Sequence, residues 1–71
     1  MASQSDLDNW YKYHPPKPGQ TEKYEAIRAK AKELAELFDE MSPGCADQTA
    51  AHRKLRDAVM AMNLTIACND D

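Results

Sequence analysis

A short segment near the N-terminus carries the residues best suited to bind a ligand. Tyr11 to Lys17 combines two aromatic rings, an imidazole and two lysines with the diproline Pro15-Pro16. Aromatic rings stack on nucleobases, and lysine or arginine neutralises phosphates. Because proline fixes φ and extends the residue before it, Tyr13 and His14 should be held on a stiff strut and lose little entropy on binding. This mixture favours a small nucleotide over a protein as the ligand.

Basic residues are concentrated in the first half of the chain. Residues 1–32 carry six basic and four acidic side chains, a balance of +2, whereas residues 33–71 carry three basic and eight acidic ones, a balance of -5. The net charge of -3 argues against binding of DNA or RNA polymers, because such proteins are normally basic. The distribution places a phosphate-binding surface in the first half and indicates a ligand with few phosphates.

The elements that position this segment can be predicted from capping residues and prolines. Ser5 is followed three residues later by an acid, which predicts that it caps a short helix ending near Tyr11. Three prolines and Gly19 then predict a stiff connector. Residues 1–20 should therefore hold a short helix and a proline-rich linker.

Two long helices are predicted to follow. Thr21 is a good N-cap for a helix over residues 21–41, which ends at Ser42-Pro43-Gly44. Asp47 is the predicted cap of a second helix over residues 47–68. Helices of this length joined by a short turn form an antiparallel hairpin roughly 30 Å long. The predicted fold class is all-α, with residues 1–71 as one small domain.

Apolar residues on both long helices recur at spacings of three and four, which is typical of helices packed on each other. The predicted stripe consists of Ile27, Ala31, Leu34, Leu37, Phe38 and Met41 in the first helix and Ala51, Leu55, Ala58, Val59, Met62 and Ile66 in the second. Met60, Leu64 and Ala67 lie on the opposite side of the second helix. A chain this short buries only about 60% of its unfolded surface. We therefore expect a homo-oligomer, in which another copy covers the second face.

Several classes of protein are disfavoured by what the sequence contains. Cys45 and Cys68 flank opposite ends of the second predicted helix, too far apart for a disulfide, which indicates a reducing compartment. The sequence has no metal-ligand spacing, its first residues argue against a secretory signal, and we expect no membrane-spanning segment. No nucleophile stands beside a base, and His14 and His52 lack an orienting partner in sequence, so we expect no catalysis, no metal and no cofactor.

The order of several short motifs resembles a known family. These motifs are Tyr13-His14-Pro15-Pro16, Gln20, Tyr24-Glu25-Ala26-Ile27-Arg28, Ala31-Lys32-Glu33-Leu34-Ala35, Asp57-Ala58-Val59-Met60, Asn63 and Ile66-Ala67. Together they resemble the small phage proteins that sequester cyclic oligonucleotide second messengers and so blunt CBASS, a bacterial defence. The related Thoeris-inhibiting sponges share the domain. The resemblance covers residues 13–69.

The resemblance implies a helical protomer that assembles into a homohexamer in the cytoplasm of an infected bacterial host. It implies cyclic dinucleotides (cGAMP-like) held between neighbouring protomers and, in some members, cyclic trinucleotides in separate pockets. Tyr13 matches the family's stacking aromatic and Arg28 its phosphate-binding basic residue. The predicted ligand-binding residues are Tyr13, His14, Arg28, Lys32, Lys17 and Tyr11.

The same residues are also compatible with purely structural roles. Tyr11 and Tyr13 are also compatible with a cover folded over the end of the hairpin, and Arg28 and Lys32 with a solvated helix face. For Lys30 and His52 we predict the solvated surface, and for Trp10 a packing anchor. The competing functions are an oligomeric helical-hairpin adaptor that acts through protein–protein contacts and a nucleic-acid-binding regulator.

Overall fold

The computed structural model describes residues 2–70, and the prediction of an all-helical chain is confirmed over that range. Three helices follow one another without an intervening strand in this part of the chain: α1 is Gln4–Trp10, α2 is Gln20–Met41 and α3 is Ala46–Asn69. The ends of the predicted 1–71 domain, Met1 and Asp71, lie outside the described residues.

The N-cap of the first helix lies two residues earlier than predicted. Ser3, and not Ser5, is the N-cap: its hydroxyl accepts from the Asp6 N–H at 3.1 Å, and the Asp6 carboxylate accepts from the Ser3 N–H at 3.1 Å. The Ser5 prediction was wrong because the backbone is extended at Ser3, with φ -80° and ψ 167°, and already helical at Ser5.

The long helices also begin differently from their predicted caps. α2 starts at Gln20, one residue before the predicted range, and its N-cap is Gly19, whose φ of 88° lies in the left-handed region. α3 starts at Ala46 with Cys45 as its N-cap, so Asp47 lies inside the first turn, where its charge still favours the positive helix end. Capping by Thr21 and by Asp47 was therefore predicted wrongly, although the helices themselves were predicted within one residue.

The two long helices form the predicted antiparallel hairpin. At the open end, the Gln20 Nε2 donates to the Ile66 carbonyl at 3.2 Å. Near the turn, the His52 Nε2 lies 2.8 Å from the Asp39 Oδ1. The start of one helix therefore meets the end of the other.

The seam between α2 and α3 is rotated from the predicted stripe. The partly or fully buried residues along it are Tyr24, Ile27, Ala31, Ala35 and Phe38 in α2 and Ala51, His52, Leu55, Val59, Asn63 and Ile66 in α3. Leu34, Leu37 and Met41, which were predicted to face α3, are 41%, 43% and 75% exposed. These three side chains are offset around α2 from the positions that α3 contacts, because one helix covers only part of its neighbour's circumference.

The hairpin has almost no sealed core. Ile66 is the one buried apolar residue within residues 2–70. Met60, Leu64 and Ala67 were predicted to face away from α2, but they border depressions that α2 residues also line. Met60 and Leu64 are 66% and 53% exposed, whereas Ala67 is half-buried. The shortest dimension of the molecule is 13 Å, close to the diameter of one helix. A single layer of helices thus leaves apolar side chains uncovered on both faces.

No helix in the described range combines the length and the apolarity needed to cross a bilayer. Residues 2–70 also contain no cluster of His, Cys, Asp or Glu that could hold a metal ion. Both cysteines are free thiols, Cys45 exposed and Cys68 half-buried.

Candidate ligand-binding site

The connector that carries the aromatic residues is fixed to the C-terminal end of α3. The last carbonyls of a helix lack partners within the helix. Three side chains from the N-terminal part donate to carbonyls at this end: the Asn9 Nδ2 to Cys68 at 2.9 Å, the Lys17 Nζ to Asp70 at 3.1 Å and the Gln20 Nε2 to Ile66 at 3.2 Å. The connector is therefore docked on α3 and does not swing freely.

Gln20 is the central residue of this attachment. Its side chain is only 3% exposed, and both ends of its amide are used. The Oε1 accepts from the Lys17 N–H at 2.9 Å, while the Nε2 donates to the Ile66 carbonyl. The two hydrogen bonds offset the cost of burying the amide and link the groups around it. We call this arrangement the Gln20 clamp.

An ion pair reinforces the same end of the hairpin. The Lys23 ammonium contacts the Asp70 carboxylate, which is only partly exposed. The hydrogen bond from Lys23 lowers the pKa of the Asp70 carboxyl below its ordinary value, and the Gln20 side chain and the Lys17 charge act in the same direction. The ionised form of Asp70 is therefore part of the docked structure.

The docked connector presents two tyrosines to solvent. Tyr11 is 85% exposed and Tyr13 is 82% exposed, so their ring faces are open to stacking. His14 is half-buried, and its Nε2 donates to the Asn9 carbonyl. The Lys17 ammonium is held by the Asp70 carbonyl. Of the four predicted site residues in this segment, the two rings are thus free, whereas the imidazole and the ammonium already take part in docking.

Arg28 and Lys32 line a groove of about 400 Å³ between α2 and α3. Its apolar floor is formed by Ala31, Ala35, Leu55, Val59 and Met60, and His52 and Arg56 complete its walls. An open depression of about 500 Å³ continues from it past Arg28 and Met60 and is lined further by Tyr24, Asn63, Leu64 and Ala67. We call the first of these the cationic groove.

The cationic groove concentrates positive charge in an acidic chain. Arg28, Lys32 and Arg56 are all exposed, and no acidic residue lines the groove. None of the three forms an ion pair with another residue in the range 2–70. Clustered cations over an apolar floor suit an anion that also has apolar or aromatic surface.

The structure separates the predicted site residues into two groups. Arg28 and Lys32 face the cationic groove, whereas Tyr13 lies on the docked connector and lines neither the groove nor its continuation. Within one protomer, the stacking ring and the phosphate-binding charges therefore do not share a cavity.

Of the two residues predicted to lie on the solvated surface, one prediction is confirmed and the other was wrong. Lys30 forms an exposed pair with Glu33 at 3.4 Å, which confirms the solvated helix face and contributes little to stability. His52 was wrongly predicted to be an ordinary surface residue: its side chain is 29% exposed, is bonded to Asp39, and its ring lies 5.5 Å from that of Phe38. The antiparallel turn brings these residues together, which sequence separation conceals.

Two residues that line the groove or its continuation, Arg56 and Tyr24, were not among the predicted ligand-binding residues. Arg56 precedes Met60 by four residues and so shares a helix face with it, a signal that was present in the sequence. Tyr24 bears the same relation to Arg28. For Asn63, whose role was left open, the Oδ1 atom is buried and has no hydrogen-bond partner in the described part of the chain.

A protein-family model described as "Acb2/Tad1, hairpin domain" matches residues 3–67, which is nearly the whole chain. The match includes α1, the docked connector, α2 and most of α3. Comparisons with curated proteins and with solved structures gave no match.

Replacing Gln20 by Glu should weaken the clamp. The carboxylate retains an acceptor for the Lys17 N–H but places an anion against the Ile66 carbonyl, at the negative end of α3. We expect a loss of roughly 1–3 kcal/mol in the free energy of unfolding, measured by urea denaturation at fixed protein concentration, and faster hydrogen exchange at Lys17. Thr21→Glu is the control, because it adds the same charge at an exposed position of the favourable N-terminal turn of α2. Equal stability of the two variants would contradict the clamp.

Replacing Lys23 by Met should raise the pKa of the Asp70 carboxyl towards its ordinary value, because the main cause of its lowering is removed. NMR titration of the side-chain carboxyl measures this change. The Lys23–Asp70 pair contributes its full stabilisation at pH values above the ordinary aspartate pKa. This contribution is lost as the pH falls through the lowered pKa of Asp70 in the folded protein. The stability difference between wild type and variant should therefore vanish in acid. Lys30→Met, which breaks only an exposed pair, should leave Asp70 unchanged.

Proposed function

The chain belongs to the Acb2/Tad1 hairpin-domain family, the anti-CBASS and anti-Thoeris sponges, and on that premise we propose that it binds cyclic oligonucleotide second messengers and holds them without cleaving them. The observation that carries the proposal is the cationic groove. Arg28 and Lys32 face it together, no acidic residue lines it, and the chain as a whole carries a net charge of -3. A local excess of positive charge in an acidic protein serves a small anion better than a nucleic-acid polymer.

Stacking by Tyr13 supplies the second part of the proposed site. The ring is exposed on a connector that the Gln20 clamp holds in place, so little conformational entropy is lost when a base stacks on it. Because Tyr13 does not line the cationic groove of its own protomer, we assign it to the groove of a neighbouring copy. The ligand then lies between protomers, and Tyr11, His14 and Lys17 support it from the same connector.

Association of several copies would also bury the apolar surface that one copy leaves exposed. The hairpin is one helix thick and leaves Met60 and Leu64 exposed beside the groove. Burial of such side chains against another copy is favourable in proportion to the apolar area covered. We propose a homohexamer that binds cyclic dinucleotides (cGAMP-like) and takes cyclic trinucleotides as further ligands in the cytoplasm of an infected bacterial host.

Capture without turnover fits the residues of the groove. A nucleophile activated by a neighbouring base is needed for covalent catalysis, and the groove is lined by cations, alanines and aliphatic side chains with His52 engaged by Asp39. We therefore propose that the protein acts stoichiometrically and is not an enzyme.

The second candidate function is that of an adaptor, which the apolar surface near the turn favours. Leu34, Leu37 and Met41 are 41%, 43% and 75% exposed and line a depression of about 400 Å³. Such a surface suits a protein partner. An adaptor, however, needs neither an exposed Tyr13 nor unpaired cations in a groove.

Tyr13→Ala and Arg28→Ala distinguish the two functions. We expect each variant to lose roughly tenfold or more in affinity for cyclic GMP-AMP, measured by isothermal titration, with an unchanged particle mass. The control is Lys30→Ala, which removes a cation of the same helix that already pairs with Glu33. Bound ligand should be recovered intact after the protein is removed. Undiminished affinity in both variants would favour the adaptor, and recovery of a linear product would refute capture without turnover.

Leu64→Glu should break the assembly. A charge placed in an apolar contact between copies is left without solvent or a partner, so the particle mass measured by light scattering should fall. Affinity for cyclic GMP-AMP should fall with it, because the proposed site is shared between copies. Lys54→Glu, which changes an exposed residue of the same helix outside the cationic groove, is the control. A full-sized particle carrying Glu at position 64 would show that this face is not the contact.

A further inference from the structure

Arg56 places a cation on the second wall of the cationic groove. Arg28 and Lys32 belong to α2, whereas Arg56 belongs to α3 and lines the same groove from the other side. Packed helices lie about 8–10 Å apart. Cationic side chains from both helices therefore line the groove.

The charge of Arg56 is not compensated locally. The side chain is exposed and forms no ion pair with residues 2–70. Asp57 follows it in sequence, but neighbouring residues of a helix point about 100° apart, and Asp57 does not line the groove. Three like charges around one groove repel each other, and an anion bound between them relieves that repulsion.

We propose that Arg56 is a further ligand-binding residue and that the groove therefore selects ligands with at least two phosphodiester groups. In a cyclic dinucleotide the two phosphodiesters lie on opposite sides of the sugar–phosphate ring. One of them can meet Arg28 and Lys32 on α2 while the other meets Arg56 on α3. A guanidinium is suited to this task, because its fork of donors binds a phosphate in a bidentate manner.

Selection by charge number follows from this arrangement. A cyclic mononucleotide has a single phosphodiester and can engage only one wall, so it gains nothing from the cation on the other wall. A cyclic dinucleotide engages both walls. The inference rests on the proposed function and names the property by which the site distinguishes its ligands.

The experiment compares cyclic GMP-AMP with 3′,5′-cyclic AMP as probes for the wild-type protein and for Arg56→Ala. At low salt we expect Arg56→Ala to weaken cyclic GMP-AMP binding about tenfold and to leave the affinity for cyclic AMP unchanged. The difference should narrow as salt rises, because an exposed contact is screened. Arg53→Ala is the matched control: it removes the same charge from an exposed position three residues away that does not line the groove.

The inference is overturned if Arg56→Ala and Arg53→Ala bind cyclic GMP-AMP with equal affinity. It is also overturned if Arg56→Ala loses affinity equally for cyclic GMP-AMP and for cyclic AMP. Both results leave the proposed function intact. A wild-type protein that binds no cyclic dinucleotide overturns the proposed function itself. Particle mass is measured in parallel. If Arg56→Ala changes the particle mass, the binding comparison is repeated with Arg56→Gln, which keeps most of the side-chain stem. A changed particle mass in both variants would make Arg56 an assembly residue and overturn the inference.

Discussion

The buried amide of Gln20 is the interaction on which the arrangement of this protein depends. It joins the connector, the first turn of α2 and the last turn of α3 at one point, with an acceptor bond to Lys17 and a donor bond to Ile66. Asn9 and Lys17 extend the attachment by donating to Cys68 and Asp70. The Cys68 carbonyl lies in the last turn of α3 and has no helical partner in the described range, whereas the Ile66 carbonyl also accepts from the Asp70 N–H at 3.2 Å. The same bonds therefore complete a helix end and fix the segment that displays Tyr13.

Thinness is the second constraint, and it links stability to function. A layer 13 Å thick with one buried apolar residue in the described range leaves its side chains half exposed on both faces. Marginal domains of this size need reinforcement from disulfides, metals or association. Within residues 2–70, neither cysteine forms a disulfide and no group of side chains is suited to bind a metal ion. The proposed site between copies would place the ligand beside the apolar surface that a single copy leaves exposed.

Local signals in the sequence were sufficient for the helices and insufficient for their packing. Spacing, prolines and the glycine before α2 act within a few residues, so the helix bounds were predicted within one or two positions. The caps were harder, because Ser3 and Ser5 each precede an acid by three residues and only the folded backbone distinguishes them. The rotation of the seam, which exposes Leu34 and Leu37 and half-buries Tyr24 and Ala35, depends on how two helices fit together.

For the candidate site, the sequence by itself determined which chemistry was present: two tyrosines beside a diproline, and cations spaced four residues apart on α2. The tertiary structure alone decided how those groups are used. It engages His14 and Lys17 in docking, brings Arg56 opposite Arg28, and pairs His52 with Asp39. The physical reason is the distance along the chain over which each kind of interaction acts. Helix spacing and proline geometry act between near neighbours, whereas the bonds that dock the connector join residues 46 to 59 positions apart and exist only once the hairpin has closed.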